Sequence, residues 1–177
     1  MSHDELLKAI QSRAARMAVG ASAVRGRGNA GTAAAARKYF VELDLWAFSV
    51  EPEEFRRVLD KHTERLLKKL PEKARHWGIA RKILNIFLRD CLYTGELERA
   101  FKLATAEEAF ELPLDSITVK ALKRDHKRGE LPRWKGVKNL TKPASHRYQE
   151  AALATALRKG VRRVDLDAFW WAQGRDG

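Results

Sequence analysis

Two short segments combine residue types that chemistry can use. The first, His76-Trp77-Gly78-Ile79-Ala80-Arg81-Lys82, joins a turn to an apolar helix. A glycine-containing turn that feeds a helix N-terminus directs free backbone amides outward, where they can hold a phosphate. Arg75, His76, Gly78 and Arg81 are therefore the expected phosphate contacts of this turn. Lys82 falls within the first turns of the helix. A lysine held between an apolar wall and neighbouring cations loses proton affinity, which makes its amine a usable nucleophile. The competing reading is a lysine that snorkels to solvent or only touches phosphate. The second segment, Phe110-Glu111-Leu112-Pro113-Leu114-Asp115, sets an acid among apolar residues just ahead of Ser116. At a helix N-cap, Asp115 accepts amide hydrogen bonds, and its carboxylate could also stabilise a developing positive charge or position a water. Most such caps serve only the helix, at about 1 kcal/mol.

These residues need helices to hold them, and the apolar spacing supplies helices almost everywhere. Asp4–Ala18 carries apolar residues at 6, 7, 10, 14 and 17, a helical stripe. Ala33–Ala47 reads as a second helix. A third opens at Glu51-Pro52-Glu53-Glu54, with proline in its first turn and acids facing the positive end of its dipole, and stops at Pro71. Ala80–Tyr93 is apolar on most sides, as a central helix should be. Short helices follow at Glu96–Leu103 and Glu107–Phe110, and Ser116–Arg124 is helical behind its Asp115 cap. Pro143–Arg158 is bounded by Thr141 and Gly160. Val164–Trp171 reads as a short helix or an extended segment. Strand-like alternation is nearly absent, so the fold class is all-α, one compact helical domain over residues 1–177. Residues 19–32, rich in Gly, Ala and Ser, read as a flexible connection within it.

Composition narrows the partners. The chain has 177 residues with 35 basic against 23 acidic, a net charge of +12 and a pI near 10.1. Ten basic residues, among them Lys135 and Lys138, fall between Lys120 and Arg147 against two acids, Asp125 and Glu130. Such an excess favours polyanions, of which nucleic acid is the commonest, although a solvated basic face gives the same count. No window approaches the roughly 18 apolar residues of a membrane span. The start Met-Ser-His-Asp-Glu has no apolar secretory core. One cysteine, Cys91, allows neither an internal disulfide nor a cysteine zinc site. The expected setting is cytoplasmic and nucleoid-associated, away from membranes, with no metal and no cofactor.

Taken together, the two segments resemble the helix-hairpin-helix DNA glycosylases, most of all the archaeal 8-oxoguanine glycosylase branch. There a catalytic lysine begins an apolar helix and an aspartate follows about a third of a hundred residues later; Lys82 and Asp115 lie 33 residues apart. Trp77-Gly78-Ile79-Ala80-Arg81-Lys82-Ile83-Leu84 looks like the hairpin and its second helix. Leu112-Pro113-Leu114-Asp115-Ser116-Ile117-Thr118-Val119 looks like the aspartate segment. The resemblance covers 55 residues, Leu70 to Arg124, under a third of the chain. The common Leu-Pro-Gly-Val-Gly hairpin is missing, with Gly78 the one glycine of the turn, and no zinc or iron–sulfur cysteines follow. A second stretch, Leu131–Lys138 with Asp165 downstream, has a similar order, but Pro143 blocks a helix from starting directly after Lys138.

The resemblance implies base excision from double-stranded DNA by a monomer. Lys82 would attack the sugar to give an imine, and Asp115 would assist it. Elimination from that imine would add an AP lyase activity. The base would be an 8-oxoguanine-type lesion or a phage-type modified base. Arg75, His76, Gly78, Arg81, Lys135 and Lys138 would hold the DNA backbone. Trp46, Trp170 and Trp171 are the candidates for stacking on an extruded base, although helical aromatics are more often core. Asp90, Asp165 and Asp167 could read base edges, and Asp90 equally suits an ion pair. The alternative from another class is a non-catalytic helical DNA-binding protein, in which Lys82 touches phosphate and Asp115 only caps.

Overall fold

The apolar stripes become helices, and most run between the expected ends. The computed structural model describes residues 2–20 and 31–173, with no strand among them. Helix α1 spans His3–Ala18 and opens with a capping box: Ser2 Oγ accepts the Glu5 amide at 3.2 Å, and the Glu5 carboxylate accepts the Ser2 amide at 2.7 Å. Helix α2 covers Thr32–Val41, and a separate 3-10 turn follows at Leu45–Phe48. The single helix expected over Ala33–Ala47 is thus divided. Gln11 of α1 explains the break, because its Nε2 donates to the carbonyls of Phe40 and Leu43 at 2.8 Å each. Asp44 then caps the 3-10 turn by accepting the Trp46 amide at 3.0 Å.

Helix α3 runs from Pro52 to Lys69, with Leu70 extended before Pro71. A 3-10 turn at Glu72–Ala74 leads to α4, Trp77–Tyr93, and α5 follows at Gly95–Phe101. Leu103–Ala109 is 3-10. Helix α6 is Ser116–Arg124, followed by a 3-10 turn at Val137–Asn139 and α7 at Lys142–Lys159. Helix α8, Asp165–Gln173, resolves the open choice for the end of the chain in favour of helix. The fold is all-α. Of the expected connection at 19–32, residues 21–30 lie outside the described residues; Val19 is the buried C-cap of α1, and Thr32 opens α2.

Two apolar cores form. The larger gathers α1–α5, with Phe40 stacked on Phe87 at 4.4 Å between centroids and Phe55 against Phe110 at 4.7 Å. The single cysteine, Cys91, is fully buried there on α4. Burial, and secondarily the neighbouring Asp90 carboxylate, pushes its thiol pKa up. The smaller core joins α6, α7 and α8 through Leu112, Leu114, Leu122, Tyr148, Leu166 and Trp170. The chain passes from one core to the other along the extended residues 110–114. No helix among the described residues is long and apolar enough to cross a membrane.

Candidate active site

Helix α4 carries two polar faces, and they do different things. Arg81 and Asn85, four residues apart and so on one face, both turn to Glu111. Arg81 donates from Nε and Nη2 to the two Glu111 oxygens, each at 2.8 Å, and Asn85 adds a bond at 3.1 Å. Arg81 also reaches Asp60 at 2.9 Å and the Thr63 hydroxyl at 3.0 Å. Burial works against the charge on Arg81, but Glu111 and then Asp60 more than offset it and raise its pKa. Burial likewise opposes the Glu111 carboxylate, yet Arg81 and secondarily Arg163 hold its pKa below the ordinary value. The pair is ionised and bidentate within the core.

Lys82, one residue and about 100° further round, faces the other way. With Ile86, Arg89, Asp90 and Tyr93 it lines a cavity of about 940 Å³. Ile10, Arg13, Ala14, Met17 and Ala18, one stripe of α1, form a second wall, and Asp167 and Ala168 of α8 with Thr94, Pro113, Asp115 and Ile117 complete the lining. Lys82 Nζ lies 3.5 Å from Asp115 Oδ2, with the lysine side chain 8% exposed and the aspartate 24%.

The extended segment delivers Asp115 to that point by alternation. Successive side chains of extended backbone point to opposite sides. Leu112 and Leu114 enter the smaller core, while Glu111 meets Arg81, Pro113 lines the cavity and Asp115 meets Lys82. Side chains satisfy part of its backbone. Gln149 accepts the Leu112 amide at 3.0 Å and donates to the Leu112 carbonyl at 2.8 Å, and Arg163 donates to the carbonyls of Ala109 and Phe110. Asp115 Oδ1 accepts the amides of Ile117 and Thr118 at 2.9 and 3.0 Å, and Thr118 Oγ1 accepts the Asp115 amide at 2.9 Å, closing a capping box. One carboxylate oxygen serves the helix. The other faces the lysine.

The other polar groups that α4 brings to the cavity are paired. Arg89 bridges Asp90, at 2.8 and 3.0 Å, to Asp167 across from it on α8. Burial raises the Asp90 pKa, with Arg89 opposing. The Tyr93 hydroxyl donates to Asp165 at 2.8 Å, and burial with that hydrogen bond raises its pKa.

The expected phosphate contacts divide. Arg75 is exposed and donates to the Leu70 carbonyl at 2.9 Å; His76 is the half-buried N-cap of α4 and forms no side-chain cap. Lys135 and Lys138 are exposed on the loop that meets the start of α4. Arg81 and Gly78 are corrected. Arg81 is 3% exposed and fully engaged in the core, so it offers nothing to a backbone phosphate. Gly78 is buried, and a Cβ there would lie 2.1 Å from the Val137 carbonyl oxygen, so its glycine serves the packing of α4 on the 137–140 turn. The neighbouring amides of Ile79 and Ala80 both donate to the His76 carbonyl.

Two of the three aromatic candidates do not meet the cavity. Trp46 is exposed, edge-on to Phe101, and Trp170 is buried in the smaller core; neither lines the cavity. The side chain of Trp171 lies outside the described residues. The alternative order of Lys138 and Asp165 is not brought together as a pair: Lys138 is exposed on its loop, while Asp165 holds Tyr93 and Arg162.

Sequence reading misses Arg13, Arg89, Tyr93 and Ile117 as cavity residues, and Gln149 as a tether. The signal for Arg89 and Tyr93 is present, since they follow Lys82 by seven and eleven residues on one helical face. Among the described residues no group of three or more His, Cys, Asp or Glu is arranged to hold a metal ion. Scans against protein-family models, curated proteins and solved structures found no match to this chain.

Proposed function

We propose that this chain is a DNA glycosylase with associated AP lyase activity, in which Lys82 is the nucleophile and Asp115 the carboxylate that assists it. The supporting observation is the juxtaposition of Lys82 Nζ and Asp115 Oδ2, 3.5 Å apart, in the wall of a cavity of about 940 Å³. That volume lies within the range of small-molecule sites and accommodates an extruded base with its sugar. The net charge of +12, and the exposed cations around the start of α4, suit a polyanionic partner.

In the reaction, the neutral Lys82 amine forms a bond to the sugar C1′ as the glycosidic bond breaks and the base leaves with the bonding electrons, as an anion that takes its proton from water. Asp115 Oδ2 stabilises the positive charge that develops on the sugar and accepts a proton from the attacking nitrogen. Asp115 passes that proton to the ring oxygen as the sugar ring opens to the imine, loss of a C2′ proton forms the C2′=C3′ bond as the bond to the 3′ phosphate breaks, and water returns the lysine. The Asp115 cap keeps Oδ2 aimed without further ordering, which is the kind of preorganisation catalysis uses. The base is an oxidised purine of the 8-oxoguanine type or a phage-type modified base.

Borohydride trapping on a panel of duplexes carrying both kinds of base tests the reading. The expected result is a covalent adduct with one duplex that Lys82→Arg, which keeps the charge, does not form. Tight binding with neither adduct nor abasic sites on any duplex would overturn it, and leave a DNA-binding protein in which Lys82 and Asp115 only pair.

A further inference from the structure

A second, smaller concavity of about 350 Å³ lies at the far end of α6, lined by Lys123, His126, Lys127, Arg128, Gly129 and Leu131. The turn that forms it is held in shape. Glu130 accepts the Lys127 amide on its carboxylate at 2.9 Å and donates its own amide to the Lys127 carbonyl at 3.2 Å. Its carbonyl accepts Arg147 of α7 at 2.9 Å. His126 Nδ1 lies 2.9 Å from the Leu122 carbonyl, so Nδ1 carries the hydrogen of that bond. Gly129 has φ +93 and no atom within 4 Å of where a Cβ would stand, so the backbone turns there and the opening stays clear.

The charges are one-sided. The Glu130 carboxylate is drawn to the Lys127 backbone amide, and the Asp125 carboxylate stands 4.0 Å from Lys159 of α7. No salt bridge among the described residues engages Lys123, Lys127 or Arg128, and all three are exposed. Lys123 in the last turn of α6 offsets the negative end of that helix, but Lys127 and Arg128 lie beyond it and have no such duty. Three cations gathered around one concavity repel each other, and an anion with several acceptor oxygens relieves that repulsion.

We propose that this concavity is a phosphate-binding site, and that the phosphate it takes is a phosphodiester of a nucleic-acid strand. The inference rests on the nucleic-acid partner of the reading above and not on excision. Helix α6 begins just after its cap Asp115 and ends beside the concavity, nine residues at about 1.5 Å each, or about 14 Å. That span is about four nucleotide steps along a B-form strand. The site therefore grips the backbone to one side of the cavity and sets which nucleotide stands before Lys82.

The test uses the full chain and three proteins: wild type, Lys127→Ala/Arg128→Ala, and Lys68→Ala/Lys69→Ala as a control that removes the same charge from the exposed end of α3. Fluorescence anisotropy with a labelled duplex is read across salt, beside calorimetric titration with inorganic phosphate alone and abasic-site formation at saturating protein. Expected is about tenfold weaker duplex binding by the first variant, a salt slope smaller by about one for each phosphate-binding cation removed, and a change under twofold in the control. Equal losses in both variants, or none in either, overturn the site and leave excision standing. Inorganic phosphate binding that depends on Lys127 and Arg128, with duplex affinity unmoved, overturns the nucleic-acid assignment. Duplex binding that depends on these residues, with no excision on any base, upholds the site and overturns the glycosylase reading. A wild type that binds no duplex overturns both.

Discussion

Arg81 holds both carboxylate oxygens of Glu111 at 2.8 Å, and the two residues are one position before Lys82 and four before Asp115. The clamp therefore ties the helix that carries the lysine to the segment that carries the aspartate. Removing one partner leaves the other charged and buried, which costs about 3–5 kcal/mol. Glu111→Leu and Arg81→Met should each destabilise on that scale in chemical denaturation. The double variant Arg81→Met/Glu111→Leu should cost less than the sum of the two, because neither half of the clamp is left charged without the other.

Asp115 does two jobs with two oxygens, and substitution can separate them. Asparagine caps a helix about as well as aspartate, whereas alanine loses about 1 kcal/mol. In thermal melts, Asp115→Ala should fall below Asp115→Asn by about that amount. Under the proposed glycosylase reading, single-turnover excision by the two should be alike, each about 10²- to 10³-fold slower than wild type, since both lack the charge facing Lys82. A variant pair that tracked stability rather than charge would assign Asp115 to the helix alone.

His62 sets a pH dependence. Burial lowers its pKa to about 4, helped by Arg65 and Lys61 and opposed by Asp44, and the Tyr39 hydroxyl stands 2.8 Å from its Nδ1. In the unfolded chain it titrates near 6.5, so between about 6.5 and about 4 the unfolded state binds more protons. The stability His62 contributes is complete above about 6.5 and is lost as pH falls toward about 4. Denaturation midpoints of wild type should drop across that window, and those of His62→Gln should drop less.

Gly78→Ala sets propensity against packing. Within a helix alanine is favoured over glycine by about 1 kcal/mol. Here the added methyl would stand 2.1 Å from the Val137 carbonyl oxygen and 2.7 Å from Leu140 Cβ. Overpacking of this kind typically costs about 1–3 kcal/mol, and against a backbone atom the high end applies. The variant should be less stable than wild type by chemical denaturation, and Leu140→Ala should not rescue it, because alanine keeps the Cβ and the Val137 carbonyl is backbone.

The same positions show what sequence reveals and what it withholds. Helix α6 and its cap are legible because Asp115, Ser116, Ile117 and Thr118 are consecutive and their bonds are local. Ser2 and Glu5, or Thr141 and Gly160, bound their helices for the same reason. Arg81 is misread because its partner Glu111 stands 30 residues away, and nothing near Arg81 distinguishes a core clamp from a phosphate contact. Gly78 is misread because Val137, 59 residues on, decides what fits there. Trp170 and Trp46 show the limit for aromatics: helical spacing gives a face, but which face meets a core and which a cavity is set by tertiary packing. The pairing of Lys82 with Asp115 follows from resemblance, and the cavity around them does not.

Cys91 shares α4 with Lys82, nine residues further along, and is wholly buried. Because it is the chain's one thiol, a thiol-reactive dye has a single target, and it can react only when the packing around this helix opens. The protein thus carries a built-in stopwatch. Labelling kinetics read how often the helix bearing the lysine comes loose, and a ligand seated in the cavity beside it should slow the clock.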